Sequence, residues 1–358
     1  MRSRGSARLL YLVYTLLLVE AFARILFLVP ALSERVSVSD QLGWRRRWVA
    51  QHSGGTGANS PTVSYRFDRY DASTGWRAKS TLRNMRVFGD KVLNTNAQGF
   101  RGTRDFSVPK DTTKTRILLL GDSFTFGEEV SDDESYAYHL EQLLPNVEVL
   151  NFGVHGYGHD QMLALLTDVG VHYKPDVVLL GFVAADMSRN TLRFRDYAKP
   201  WYTIDADTLV RHGTPVPTAA ETLRWDWLRP RTLDLVSARW LRMQSTASRR
   251  ENEEVITSAL LANIIRVTLS VGAQPLFVYL PDSRELADTA TVPQAEQWFH
   301  VECLRLQQTP CFSARPYMQS HRAHAISPIV RGHWNAEEHR AAAGAIASIL
   351  VSSDLVHH

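Results

Sequence analysis

Four short apolar runs, each tied to a stretch with helical spacing, constrain this 358-residue chain more than any other feature. They are Arg116–Leu120, Val147–Asn151, Asp176–Gly181 and Pro275–Leu280, with Pro310–Ser313 as a shorter fifth. Helical spacing marks Ser135–Leu144, Gly158–Gly170, Asn252–Val271 and Gln294–Gln308, and an Ala- and Ile-rich helix, Asn335–Val351, closes the pattern. Strands that are apolar throughout are buried on both faces, and strands separated by helices pair in parallel. The rhythm therefore predicts an α/β domain around a parallel sheet. A composition of 44% apolar and 22% charged residues suits one large globular domain with an appendage. A formal charge of +3, with no interleaved basic and aromatic run, argues against a nucleic-acid partner.

The appendage is N-terminal. Arg2, Arg4 and Arg8 precede an apolar stretch, Leu9–Val29, broken by Thr15, Glu20 and Arg24. As a helix it extends about 30 Å, the thickness of a bilayer core. Glu20 and Arg24 are four residues apart, share a helix face and neutralise each other. Residues 8–29 are read as an uncleaved membrane anchor. The rival readings are a cleaved signal peptide, with Ala21-Phe22-Ala23 as the small-x-small site, and a buried helix of a soluble protein. Arg45, Arg46 and Arg47 follow the span and blur the charge rule for orientation, but long domains cross largely regardless of such charges, which places the bulk outside the cytoplasm. The expected organisation is an anchor over 1–30, a linker and irregular or β-rich lead-in over 31–110, and the main domain over 111–358 with 188–250 as a lid-like insertion. Cys303 and Cys311 match no redox or zinc motif; in an oxidising compartment they pair, and otherwise they are two buried thiols.

The chemistry-bearing candidates sit at strand ends. Leu120-Gly121-Asp122-Ser123-Phe124-Thr125-Phe126-Gly127 directly follows a buried strand. Open α/β sheets bind ligands at the carboxyl ends of their strands, where a serine hydroxyl is held rigidly beside backbone N–H groups. The alternative role for Ser123 is to cap the next helix. A glycine-rich loop, Asn151-Phe152-Gly153-Val154-His155-Gly156-Tyr157-Gly158, follows the second strand, and its glycines let N–H groups approach a ligand closely. Gly332-His333-Trp334-Asn335 opens the last helix, where a histidine can act as general base. Asn335 and Glu338 have the spacing of a capping box.

In this order the blocks resemble the SGNH/GDSL hydrolase superfamily, and in particular a membrane-anchored bacterial subgroup. In that subgroup a segment like Asn96-Ala97-Gln98-Gly99-Phe100-Arg101-Gly102 precedes the serine block. The resemblance runs from about Asn96 to Leu350 and is weak across 188–270. It implies a flavodoxin-like three-layer αβα sandwich with a five-stranded parallel sheet, and neither metal nor organic cofactor. It also implies Ser123 as nucleophile and oxyanion donor, Gly156 as a second oxyanion donor and His333 as base.

Two features depart from the pattern. Ala185 replaces the third-block asparagine, so one side-chain oxyanion donor is missing; Asn190 lies nearby in sequence. Val330 and Arg331 stand where the family has the aspartate that orients the histidine. Asp282, Asp186 and Glu337 are candidate substitutes, with Asp122 a further supporting carboxylate. The expected activity is an envelope-facing serine esterase, acylhydrolase or O-acyltransferase acting on acylated glycans or lipids. The expected location is the bacterial inner membrane, single-pass, with the catalytic domain in the periplasm or outside the cell; the alternative is secretion after signal-peptide cleavage. The alternatives are a degenerate scaffold that keeps the fold, and a partner in polysaccharide transport or assembly.

Overall fold

The computed structural model describes residues 2–29, 43–46, 48–49, 66–307, 309–321 and 332–356. Most of the expected linker, and the segment holding Val330 and Arg331, lie outside them. The described residues divide into two compact units. The smaller is drawn from 1–64, 192–199 and 217–252, and the larger from 65–191, 200–216 and 253–358.

The elements run as follows. Helix α1 (Arg2–Leu28) is followed by two antiparallel hairpins, β1 (Asp68–Asp71) with β2 (Gly75–Ala78) and β3 (Met85–Val87) with β4 (Lys91–Leu93). Then come β5 (Thr115–Leu120), α2 (Ser123–Phe126), α3 (Tyr136–Leu143), β6 (Val147–Asn151), α4 (His159–Asp168), β7 (Val177–Phe182) and α5 (Ala185–Arg189). A third hairpin, β8 (Trp201–Asp205) with β9 (Thr208–His212), precedes α6 (Ala219–Leu228), α7 (Arg231–Met243) and α8 (Thr246–Ser270). The chain ends with β10 (Gln274–Tyr279), α9 (Ser283–Ala287), α10 (Gln294–Leu306), β11 (Cys311–Ser313), α11 (Arg315–Ser320) and α12 (Ala336–Ser352).

In the larger unit, five strands form one sheet in the order β11-β10-β7-β5-β6, every pair parallel. The expected α/β architecture is present. The strands are apolar along their length because both faces are covered. Ile117 and Leu119 point to one face, in a core with Leu140 of α3 and Ala342 and Ile346 of α12. The next residue in the strand points the other way: Leu118 meets Leu166 of α4 beside Gly170. On that second face Phe182 stacks on His159 at 4.8 Å and lies 4.9 Å from Phe299 of α10.

The lead-in has a structural task. Trp76 of β2 donates its indole N–H to the His155 carbonyl at 3.0 Å, and the buried His155 ring lies 2.8 Å from Asp68 of β1. The first hairpin thus braces the glycine-rich loop after β6. A disulfide joins Cys303, in the last turn of α10, to Cys311 of β11.

In the smaller unit, α1 contains an apolar stretch, Ser6–Phe27, long enough to cross a bilayer. Its polar residues meet the turn between α6 and α7, as described below.

Candidate active site

The carboxyl end of β5 places the serine block. Asp122, not Ser123, caps the short helix α2: the Asp122 carboxylate accepts the Phe124 N–H at 3.0 Å. Ser123 is therefore released from the capping role, and its Oγ lies 2.9 Å from Nε2 of His333, across 210 positions of sequence. Ser123 as a residue is only 3% exposed.

His333 is held from its neighbours. Its carbonyl accepts the Ser283 hydroxyl at 3.0 Å. Trp334 is buried, donates to the Pro281 carbonyl at 2.8 Å and packs edge-on against Phe124 at 4.9 Å. Both legs of the Asn335–Glu338 capping box form, which fixes where α12 begins. Trp334→Ala is expected to cost about 3–5 kcal/mol. A lower midpoint of chemical denaturation reads this directly, and an unchanged midpoint refutes the packing role given to the indole.

Among the described residues, the carboxylates within reach of the His333 ring come from the loop after α2. Glu129 Oε1 lies 3.8 Å from Nδ1, and Glu128 Oε2 lies 3.9 Å from Nε2. Both distances exceed a direct hydrogen bond, so the interaction is that of close charges. Gly127 makes this possible: it ends α2 in the left-handed region at φ 83° and turns the chain back toward the serine. Glu129 itself has φ 69°, uncommon for a residue with a side chain. Burial disfavours the imidazolium, yet Glu129, Glu128 and Asp122 outweigh it and hold the His333 pKa above its ordinary value.

The three carboxylates proposed from sequence to orient the imidazole lie elsewhere. Asp282 caps α9, accepting the Arg284 and Glu285 N–H groups at 2.8 Å each. Asp186 is paired with Arg189, three residues on in α5. Glu337 is in the first turn of α12 and exposed. Asn190 is likewise committed: its amide N–H₂ faces His159 at 3.1 Å and Thr257 at 2.8 Å. Burial pushes that His159 down to about 3, so the ring is neutral.

Asp122 is fully buried, and Arg189 donates to it at 2.9 Å. Burial opposes its charge, but Arg189 and the Phe124 N–H prevail and hold the carboxyl below the usual range. The same Arg189 nitrogen donates to the Tyr157 carbonyl at 2.9 Å, linking the serine block to the glycine-rich loop. That loop closes on α2 because Gly153 has no side chain; a Cβ there would lie 2.3 Å from the Phe126 nitrogen. The Ser123 and Gly156 N–H groups take no backbone acceptor among the described residues. A cavity of about 670 Å³ is lined by Arg101, Asp132, Tyr138 and Asn151 among others, and not by Ser123 or His333.

The larger unit is thus an α/β domain whose five-stranded parallel sheet presents Ser123 to His333 at its carboxyl end. No protein-family model matches the sequence, and no curated protein matches it significantly. Solved structures to which the chain is similar include proteins described as G-D-S-L family lipolytic proteins, acylhydrolases and esterases. One is a member of the lipolytic protein G-D-S-L family from Veillonella parvula DSM 2008, at 12% identity and TM-score 0.40, covering 67% of this chain and 98% of that one. A second is the acetyl xylan esterase AlAXEase, at 14% identity and TM-score 0.41, covering 66% of this chain and all (100%) of that one. A third is the psychrotrophic esterase EstA from Pseudoalteromonas sp., at 11% identity and TM-score 0.38, covering 68% and 99%. The chemistry of this chain rests on its own residues.

Proposed function

We propose that the chain is a membrane-tethered serine esterase or O-acyltransferase that uses Ser123 and His333 on ester-linked acyl groups of envelope glycans or lipids. The supporting observation is the 2.9 Å contact between Ser123 Oγ and His333 Nε2. Ser123 Oγ attacks the ester carbonyl and forms a C–O bond while Nε2 takes its proton. The oxyanion is received by the N–H groups of Ser123 and Gly156. The intermediate collapses, the alcohol leaves with the proton held by His333, and an acyl-enzyme remains. Water or a sugar hydroxyl then gives a proton to His333 and attacks the acyl carbon, and as the bond to Ser123 Oγ breaks His333 returns that proton to it. Glu129 stabilises the imidazolium in both halves, in place of the aspartate that Val330 and Arg331 displace. Ala185 supplies no side-chain donor, so the oxyanion site rests on backbone groups alone. Labelling of Ser123 by a fluorophosphonate tests the assignment.

An oxidising, envelope-facing setting is supported by the Cys303–Cys311 disulfide. Retention of α1 as an anchor is supported by the bonds that Glu20 and Arg24 make to residues 227–232, which a discarded leader would not need. The expected result is that the chain stays with the membrane after alkaline carbonate washing, with its N-terminus intact; release, or a new N-terminus near Ala23, overturns the anchor.

Catalysis needs the neutral imidazole to accept the serine proton. Because the His333 pKa is raised, activity falls as pH drops through a midpoint above the ordinary value of about 6.5. Glu129→Gln removes the leading stabiliser of the charged ring, so that midpoint moves down while kcat falls. Profiles of kcat/KM against pH for parent and variant read this. An unmoved midpoint excludes Glu129 from the site.

A further inference from the structure

The helical hairpin α6–α7 has no role in the chemistry above, and neither has the ion pair inside the apolar stretch of α1. They meet each other. Glu20 Oε1 accepts the Arg231 N–H at 2.9 Å, and Oε2 accepts the Thr232 N–H and hydroxyl at 3.1 Å each. The carboxylate of α1 therefore satisfies the open N-terminal N–H groups of α7. Arg24, 2.8 Å from Glu20, donates to the carbonyls of Trp227 and Arg229 at 3.3 Å, at the end of α6. Between them Glu20 and Arg24 grip both sides of the turn that joins α6 to α7. Next to that grip, Asp226 and Asp234 engage Arg229 and Arg231, and Arg45 donates to Asp226 at 2.9 Å. Ala23 of α1 and Ala238 of α7 are both buried, and the two helices pack together.

The outer surface of this hairpin is apolar. Leu233, Val236, Trp240 and Met243 fall at i, i+3, i+7 and i+10 and line one stripe of α7. With Trp225 and Trp227 of α6, each is between 56% and 74% exposed. Such a face in water is a liability, and its position decides what covers it. Glu20 lies seven residues before Phe27, the end of the apolar stretch, or about 10 Å along the helix. If α1 crosses a bilayer, whatever is bonded at Glu20 and Arg24 sits within about 10 Å of that end of the span, the depth to which interfacial helices bury their apolar faces. Tryptophan concentrates at this depth, where its ring is half in hydrocarbon and half in water. Charge agrees: residues 224–242 carry five arginines (224, 229, 231, 239, 242) and two aspartates, and Asp226 and Asp234 already engage Arg229 and Arg231. Arg224 and Arg239 remain in excess, which suits anionic headgroups.

We infer that α6–α7 is a membrane-interface element: a hairpin clamped to α1 by Glu20 and Arg24 that lays its Trp225, Trp227 and Trp240 face into the headgroup layer. The inference rests on α1 being a retained anchor, and it assigns to part of the 188–250 segment a lipid surface as partner. The insertion holds the hairpin at a fixed depth, and the Glu20–Arg24 pair is explained as the polar joint that a helix in lipid must satisfy internally.

The test uses the full chain in vesicles of phosphatidylethanolamine and phosphatidylglycerol whose acyl chains carry bromine near the headgroup, a short-range quencher of indole emission. Flotation of the vesicles first reports whether the chain is anchored. The expected result is co-flotation with partial quenching of the parent, and loss of most of the quenchable emission in W225F/W227F/W240F, which keeps three exposed aromatic rings and still floats. Co-flotation with equal quenchable emission in parent and variant overturns the hairpin while sparing the anchor. A parent that floats without quenching does the same, and points to a second copy of the chain on this face. A chain that does not float overturns the anchor, and this inference with it.

Discussion

Ser123→Ala is expected to lower turnover of a short acyl ester by about 10⁴-fold or more and to abolish fluorophosphonate labelling, with a folded state within about 1 kcal/mol of the parent. The two halves follow from one geometry. Ser123 Oγ bonds to His333 at 2.9 Å and sits 3.3 Å from an Asp122 oxygen, so removing it deletes the nucleophile and one modest hydrogen bond. Helix α2 keeps its cap, because Asp122 and not Ser123 accepts the Phe124 N–H. His333→Ala should match the loss in rate, and the double variant should add little, as residues that act as a unit do. Equal turnover by Ser123→Ala and the parent, or labelling that survives the substitution, would remove Ser123 from the chemistry and leave a scaffold that happens to keep a serine beside a histidine.

The sheet was legible because burial on both faces imposes a continuous apolar run that few other structures need. Val147–Asn151 occupies the expected residues, and the start of α12 follows from Asn335 and Glu338, whose reciprocal bonds need only three residues of context. The lead-in was legible only as irregular or β-rich, since strands of three or four residues are too short to display a period of two. What joins it to the site is tertiary: His155 with Asp68, and Trp76 with the His155 carbonyl. The carboxylates near His333 were missed for a related reason. An aspartate just before the histidine is a local signal, whereas Glu128 and Glu129 reach the ring from 204 to 205 positions away, by way of a turn at Gly127. A signal existed in the sequence: two adjacent carboxylates directly after the glycine that ends the serine block. Pairing of Cys303 with Cys311 was open from spacing alone, because eight residues of separation do not say whether two side chains face each other.

The loop that brings those carboxylates back is itself held by a residue of the Asn96–Gly102 segment, and Arg101→Met is expected to show it. Asn96 Oδ1 accepts the Gln98 and Phe100 N–H groups at 3.1 and 2.9 Å, folding the segment into a tight turn that sends Arg101 inward. The guanidinium donates to the carbonyls of Phe126 at 3.0 Å, Gly127, and Val130 at 2.6 Å, and to Asp132 at 2.8 Å. These four partners bracket Glu128 and Glu129. Methionine fills some of the volume but leaves three carbonyls unpaired and one carboxylate uncompensated, a loss of about 3–5 kcal/mol. Stability alone does not distinguish a structural arginine from one that positions the site, so the decisive readout is the pH profile of the folded fraction. With the loop slackened, Glu129 and Glu128 retreat from the ring, the His333 midpoint falls toward the ordinary imidazole value, and kcat falls with it. Arg101→Lys keeps the charge but not the fork that spans several carbonyls, so it should land between parent and Arg101→Met on both axes. A destabilised Arg101→Met with the parent's midpoint and kcat would show that the loop keeps its shape without the clamp, and that Arg101 serves the fold and not the catalytic histidine.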